Sequence, residues 1–125
     1  MKILMTGSSG FIGSALTPRL QKDFELHHLQ SDLLDFKAVE QEVLSIQPDI
    51  VVHLAARTEV EKSFYEQLSF SEINYIGTVN LIESCRQVKN LKNFIFASTM
   101  EVYGWQPISD EIKNTGTYSH YEVFD

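Results

Sequence analysis

Three glycines spaced three apart, in Thr6-Gly7-Ser8-Ser9-Gly10-Phe11-Ile12-Gly13, form the pattern in this chain that most directly specifies chemistry. They follow the apolar run Ile3-Leu4-Met5 and precede a stretch with helical spacing, so they sit where a strand hands over to a helix. Gly7 lets the chain turn sharply off the strand, and Gly10 lacks the Cβ that would hold a diphosphate away from the backbone. Gly13, one turn into the helix, lets that helix pack closely on a sheet. The start of a helix offers unpaired N–H groups and the positive end of its dipole. Spaced glycines also mark ordinary turns. With a strand before them and a helix after, the pattern specifies a ligand carrying phosphates, a dinucleotide first of all.

The other reactive residue types point to packing. Cys85 has no second cysteine to pair with and lies in a stretch of helical spacing, where a small buried thiol packs well. His27 and His28 are neighbours in a strand-like run, so they face opposite sides and do not converge on a metal. No metal site is expected. His53 reads as a strand residue with its hydrogen bonds satisfied, not as a proton carrier. The net charge is −7, with no run of Lys or Arg, which argues against a nucleic-acid partner. No signal-peptide core and no run of membrane length occurs, so the expected location is the cytoplasm, away from any membrane.

Those residues must be positioned by a fold, and 125 residues with 43% hydrophobic content suffice for one domain. Short apolar runs alternate with longer amphipathic stretches, the pattern of an α/β protein with a doubly wound parallel sheet. The spacing predicts about five strands: Lys2 to Met5, Glu25 to Leu29, a very short piece near Ser31 to Leu33, Ile50 to Ala55, and Asn93 to Ser98. Helices are predicted over Gly10 to Gln21, Asp35 to Ile46, Ser63 to Asn74 and Gly77 to Lys89, with Asp35 and Ser63 as N-caps. Pro18 falls inside the first of them and predicts a kink or a shortening.

The glycine turn is followed in order by Asp32-Leu33-Leu34-Asp35, Val52-His53-Leu54-Ala55-Ala56, Asn74-Tyr75-Ile76-Gly77-Thr78 and Phe96-Ala97-Ser98-Thr99-Met100-Glu101-Val102-Tyr103-Gly104. That succession resembles the extended short-chain dehydrogenases, in particular the NAD-dependent epimerases and dehydratases of nucleotide sugars, over nearly the whole chain. The resemblance implies a Rossmann-like domain over residues 1–125, truncated relative to the family and without its C-terminal substrate lobe. It places Gly7, Gly10, Phe11, Ile12 and Gly13 at the pyrophosphate, and Asp32 and Leu33 beside the adenine. Leu54, Ala55 and Ala56 would pass under the cofactor ribose, and Asn74 belongs to the same site. The acid that in many such proteins ends the second strand and binds the ribose hydroxyls is replaced by Leu29-Gln30-Ser31. NAD is the expected cofactor, with NADP left open.

For catalysis the resemblance implies a Tyr phenolate, a Lys four residues later that lowers its pKa, and a Ser or Thr on the same substrate oxygen. Thr99 takes the hydroxyl position and Tyr121 is the better match to the tyrosine. The lysine is missing, since Glu122 follows Tyr118 at that spacing and Asp125 follows Tyr121. Two readings follow: a truncated piece of an enzyme, or a silent NAD(P)-binding or redox-sensing module. The nucleotide-sugar substrate would bind only if the missing half were supplied, and negligible activity is expected of this chain alone. With the sheet cut short, the strand Asn93 to Ser98 would be an open edge through which copies could associate.

Overall fold

In the computed structural model, residues 1–99 are described. The first strand, β1 (Lys2–Thr6), is followed by α1 (Phe11–Leu20), β2 (Glu25–His28), α2 (Phe36–Ile46) and β3 (Ile50–His53). Then come α3 (Val60–Ser63), α4 (Gln67–Ser71), a π-helical turn (Glu72–Gly77), α5 (Thr78–Cys85) and β4 (Asn93–Phe96). All pairings are parallel, in the order β2-β1-β3-β4. The chain leaves β1 to one side for β2 and returns to its other side for β3. The strand order therefore reverses beside β1, and such a switch point opens a crevice at the carboxyl ends of the strands.

β1 is central because Ile3, Leu4 and Met5 are apolar in succession and can be buried on both faces, each at 3% exposure or less. Ile3 and Met5 pack with Val52 on the side of Leu16 and Leu20 from α1. Leu4 and Val51 face the other way, against Val39 and Val43 of α2 and Leu81 and Cys85 of α5. In α2 the four-residue spacing of Val39 and Val43 puts both on the buried face. The Asp35 carboxylate caps α2 by accepting from the Ala38 N–H at 3.1 Å. Gln47 ends it in the left-handed region at φ 49°. Cys85 is core, as expected, and burial pushes its thiol up to about 11.

Three expectations need correction. Residues Ser31 to Leu33 form no strand: the Asp35 N–H donates to the Asp32 carbonyl at 2.9 Å, closing a turn, and the sheet among the described residues has four strands. Ser63 is no N-cap; it ends α3, and its hydroxyl donates back to the Val60 carbonyl at 2.6 Å. The helix predicted from Ser63 to Asn74 instead runs from Gln67 through the π-helical turn directly into α5. α1 continues past Pro18 to Leu20. Among the described residues β4 lies at the end of the strand order, with Ile95 and Phe96 about half exposed.

Candidate functional site

The turn after β1 shows which glycines the fold itself requires. Gly7 has φ +68°, and a Cβ there would lie 2.6 Å from the Ala55 nitrogen. At Gly13 a Cβ would lie 2.6 Å from Ser8 Cα and closer still to the Gly7 carbonyl oxygen. Gly10 is different. Its backbone is ordinary extended chain (φ −72°, ψ 174°), and a Cβ would meet only the Gly7 oxygen, at 3.3 Å. What its missing side chain leaves clear is the space in front of α1. No side chain caps α1, and its first internal bond is from the Ser14 N–H to the Gly10 carbonyl, at 2.9 Å. The N–H groups of Phe11, Ile12 and Gly13 therefore lie ahead of the first helical bond. Phe11 is 95% and Ile12 55% exposed, so the helix start is open at these two residues, while Gly13 is buried against the turn.

Two hollows lie at the carboxyl ends of the strands, the smaller beside Gly7, and Gly10, Phe11, Ile12 and Gly13 line neither. The smaller, about 220 Å³, is lined by Thr6, Gly7, Leu29, Ser31, Asp32, Leu33, Ala55 and Ile73. The larger, about 380 Å³, is lined by Ala55, Ala56, Arg57, Thr58, Asn74, Thr78 and the segment Phe96 to Thr99. Ala55 lines both. The structure thus groups Gly7, Asp32, Leu33 and Ala55 on one side and Ala55, Ala56, Asn74 and Thr99 on the other. The Leu54 side chain turns instead into the core beneath α1. Asp32 holds its own turn, one oxygen accepting from the Leu34 N–H at 2.9 Å. Tyr121 lies outside the described residues.

Asn74 serves the loop that lines the larger hollow. Its side-chain oxygen accepts from the Arg57 N–H at 2.7 Å, and its amide donates to the Arg57 carbonyl at 2.9 Å. The Arg57 guanidinium donates to Glu66 at 2.7 Å and to Ser69 at 2.8 Å, and lies 4.5 Å from the centroid of the Phe70 ring. Asn74 and Arg57 together pin the loop after β3 onto the π-helical turn and α4.

His53 connects this loop to the glycine turn. The Thr78 hydroxyl donates to the Asn74 carbonyl at 2.8 Å, so it accepts from His53 Nε2 at 2.8 Å. On the other ring nitrogen, Thr6 accepts from the Ala55 N–H at 3.2 Å and donates its hydroxyl to Nδ1 at 2.6 Å. These directions assign the neutral tautomer with its proton on Nε2. Burial holds the His53 pKa below its ordinary 6.5. A histidine that resists protonation when folded contributes stability that is complete above 6.5 and is lost as pH falls through its lower folded value. Urea midpoints should accordingly be flat from pH 8 to 7 and drop below pH 6.5, and His53→Gln should lose that part of the drop. Identical pH profiles for parent and variant would contradict the assignment.

The sequence pattern singles out neither Thr6, Thr78 nor Arg57. Thr6 adjoins the glycine turn and Thr78 ends the Asn-x-x-Gly-Thr element, which are signals of place but not of role. Among the described residues no cluster of three or more His, Cys, Asp or Glu could hold a metal ion. No helix among them is long and apolar enough to cross a membrane.

Comparison with known proteins agrees with this fold. The chain is 36% identical to a dTDP-D-glucose 4,6-dehydratase of Dictyostelium discoideum, over 93% of its own length and 33% of that protein's. The fold superposes on UDP-glucose 4-epimerase of Thermus thermophilus, solved in complex with NAD, with a TM-score of 0.73 and 30% identity, covering 79% of this chain and 38% of that one. It also matches RMD from Pseudomonas aeruginosa, complexed with NADPH, with a TM-score of 0.70 and 29% identity, covering 89% and 40%. The chain spans between a third and two fifths of the length of these relatives. The sequence profile described as the NAD dependent epimerase/dehydratase family matches residues 3–124, and the chain belongs to that family.

Proposed function

We propose that the chain binds NAD(P) across the two hollows and is the cofactor-binding part of an epimerase or dehydratase acting on a nucleotide sugar. The observation that carries this reading is Gly10. A Cβ there would meet only the Gly7 oxygen, at 3.3 Å, and no special backbone angle is needed, yet the residue is glycine, at a helix start where Phe11 and Ile12 are exposed. In this placement the diphosphate rests on the amides of Phe11, Ile12 and Gly13, the adenine lies by Asp32 and Leu33, and the nicotinamide side lies over Ala55 and Ala56. When bound, nicotinamide supplies reversible acceptance of a hydride from a sugar carbon. Thr99, which lines the larger hollow, is the residue we assign to hydrogen-bond the sugar oxygen whose proton is removed. Tyr121 is the residue we assign to that proton.

The sugar nucleotide is expected to bind only with the remaining length that the relatives possess. A second reading, a cofactor-binding module without turnover, is favoured by Glu122 and Asp125 standing where a lysine would assist Tyr118 or Tyr121. An acid there raises the phenol pKa instead of lowering it. Both readings require the dinucleotide. A thermal-shift titration tests this, because a ligand that binds only the folded state must raise the unfolding midpoint. A rising midpoint with NAD or NADP is expected; a constant one at millimolar concentrations of both would overturn the proposal.

A further inference from the structure

β2 ends at His28, and the three residues after it, Leu29-Gln30-Ser31, bring no carboxylate of their own. A carboxylate arrives there from elsewhere. Glu42, midway along α2, accepts from the Gln30 N–H at 2.9 Å with one oxygen, and from the Ser31 N–H at 2.9 Å and the Ser31 hydroxyl at 2.5 Å with the other. Partial burial works against ionisation of this group, but the Ser31 hydroxyl and the two amides outweigh it and hold its carboxyl below the ordinary value. A fixed negative charge therefore stands behind Ser31, which lines the smaller hollow together with Gly7 and Asp32.

We propose that Glu42 sets the choice of dinucleotide, favouring NAD over NADP; this rests on the cofactor reading above. In dinucleotide folds the adenine ribose is read at the end of the second strand. A 2′-phosphate there needs donors, and three of those that the loop presents, the Gln30 and Ser31 N–H groups and the Ser31 hydroxyl, already serve Glu42. It would also meet the charge of Glu42 itself and those of Asp32 and Asp35, with no Lys or Arg between Leu29 and Phe36 to offset them. Lys37 is five residues from Glu42 and so lies on a different face of α2. A ribose without the phosphate can donate its hydroxyl to Ser31 Oγ and leave the carboxylate in place. The acid of the second strand is thus supplied by the helix that follows.

Calorimetric titration of the 125-residue protein and of Glu42→Gln with NAD and with NADP tests this. Glutamine keeps the shape and one acceptor for the loop. The parent is expected to bind NAD about tenfold or more tighter than NADP, and the variant to narrow that ratio about fivefold, mainly through tighter NADP. Equal affinities in the parent, or an unchanged ratio in a folded Glu42→Gln, would overturn the role of Glu42. Should the variant fail to fold, the parent's own salt dependence decides. Screening of the 2′-phosphate's repulsion should improve NADP relative to NAD as ionic strength rises, and a ratio unmoved by salt would overturn the proposal. Heat from neither dinucleotide would instead overturn the cofactor reading itself, whereas NAD binding without selectivity overturns only this inference.

Discussion

Gly13→Ala is expected to destabilise the protein by about 4 kcal/mol or more, a large share of the 5–15 kcal/mol typical of a domain. The added methyl would meet Ser8 Cα at 2.6 Å and Ser8 carbonyl carbon at 2.9 Å, besides the Gly7 carbonyl oxygen. All of these are backbone atoms in a turn that Gly7 fixes at φ +68°, so no side chain can rotate out of the way. Relief requires α1 to lift from the sheet, and that exposes the core on which Leu16 and Leu20 pack. Far-UV circular dichroism and a urea titration would show the loss. A variant as stable as its parent would mean that α1 does not approach the turn as described.

Gly10→Val should do the opposite: keep the fold and lose the ligand. A Cβ at Gly10 meets only the Gly7 oxygen, at 3.3 Å, a close contact that the turn relieves by a few tenths of an ångström, and the backbone angles suit any residue, so a loss of about 1 kcal/mol is expected. The same side chain occupies the space ahead of the Phe11, Ile12 and Gly13 amides. Dinucleotide affinity should fall at least about tenfold, some 1.4 kcal/mol. Equal affinity in a folded variant would place the ligand elsewhere. Two glycines three residues apart thus separate a structural requirement from a functional one. Their contrast controls for indirect effects of the substitution.

The glycine turn was legible in the sequence because its constraint is local: a strand, a turn and a helix start fall within a dozen residues. The core faces of β1 and α2 were legible for a similar reason, the apolar run Ile3-Leu4-Met5 and the spacing of Val39 and Val43 being sufficient. Where sequence and structure part, tertiary contacts decide. The sequence predicts a very short strand near Ser31 to Leu33, but the Asp32–Asp35 turn and the hold of Glu42 on Ser31 shape it into a loop. The π-helical turn depends on Asn74 reaching Arg57 and Thr78 reaching His53, partners 17 and 25 residues away, which no periodicity records. His53 has the satisfied hydrogen bonds expected of it, although its partners Thr6 and Thr78 come from β1 and α5.

The account depends on helix amides left uncovered by the protein so that a diphosphate can take them. The most direct measurement is a proton–nitrogen correlation spectrum of the labelled protein recorded during titration with NAD. The amide resonances of Phe11, Ile12 and Gly13 should move farthest and saturate together with those of Ala55 and Ala56. Resonances of the glycine turn that stay fixed while NAD binds elsewhere, or that stay fixed at millimolar NAD and NADP alike, would contradict it.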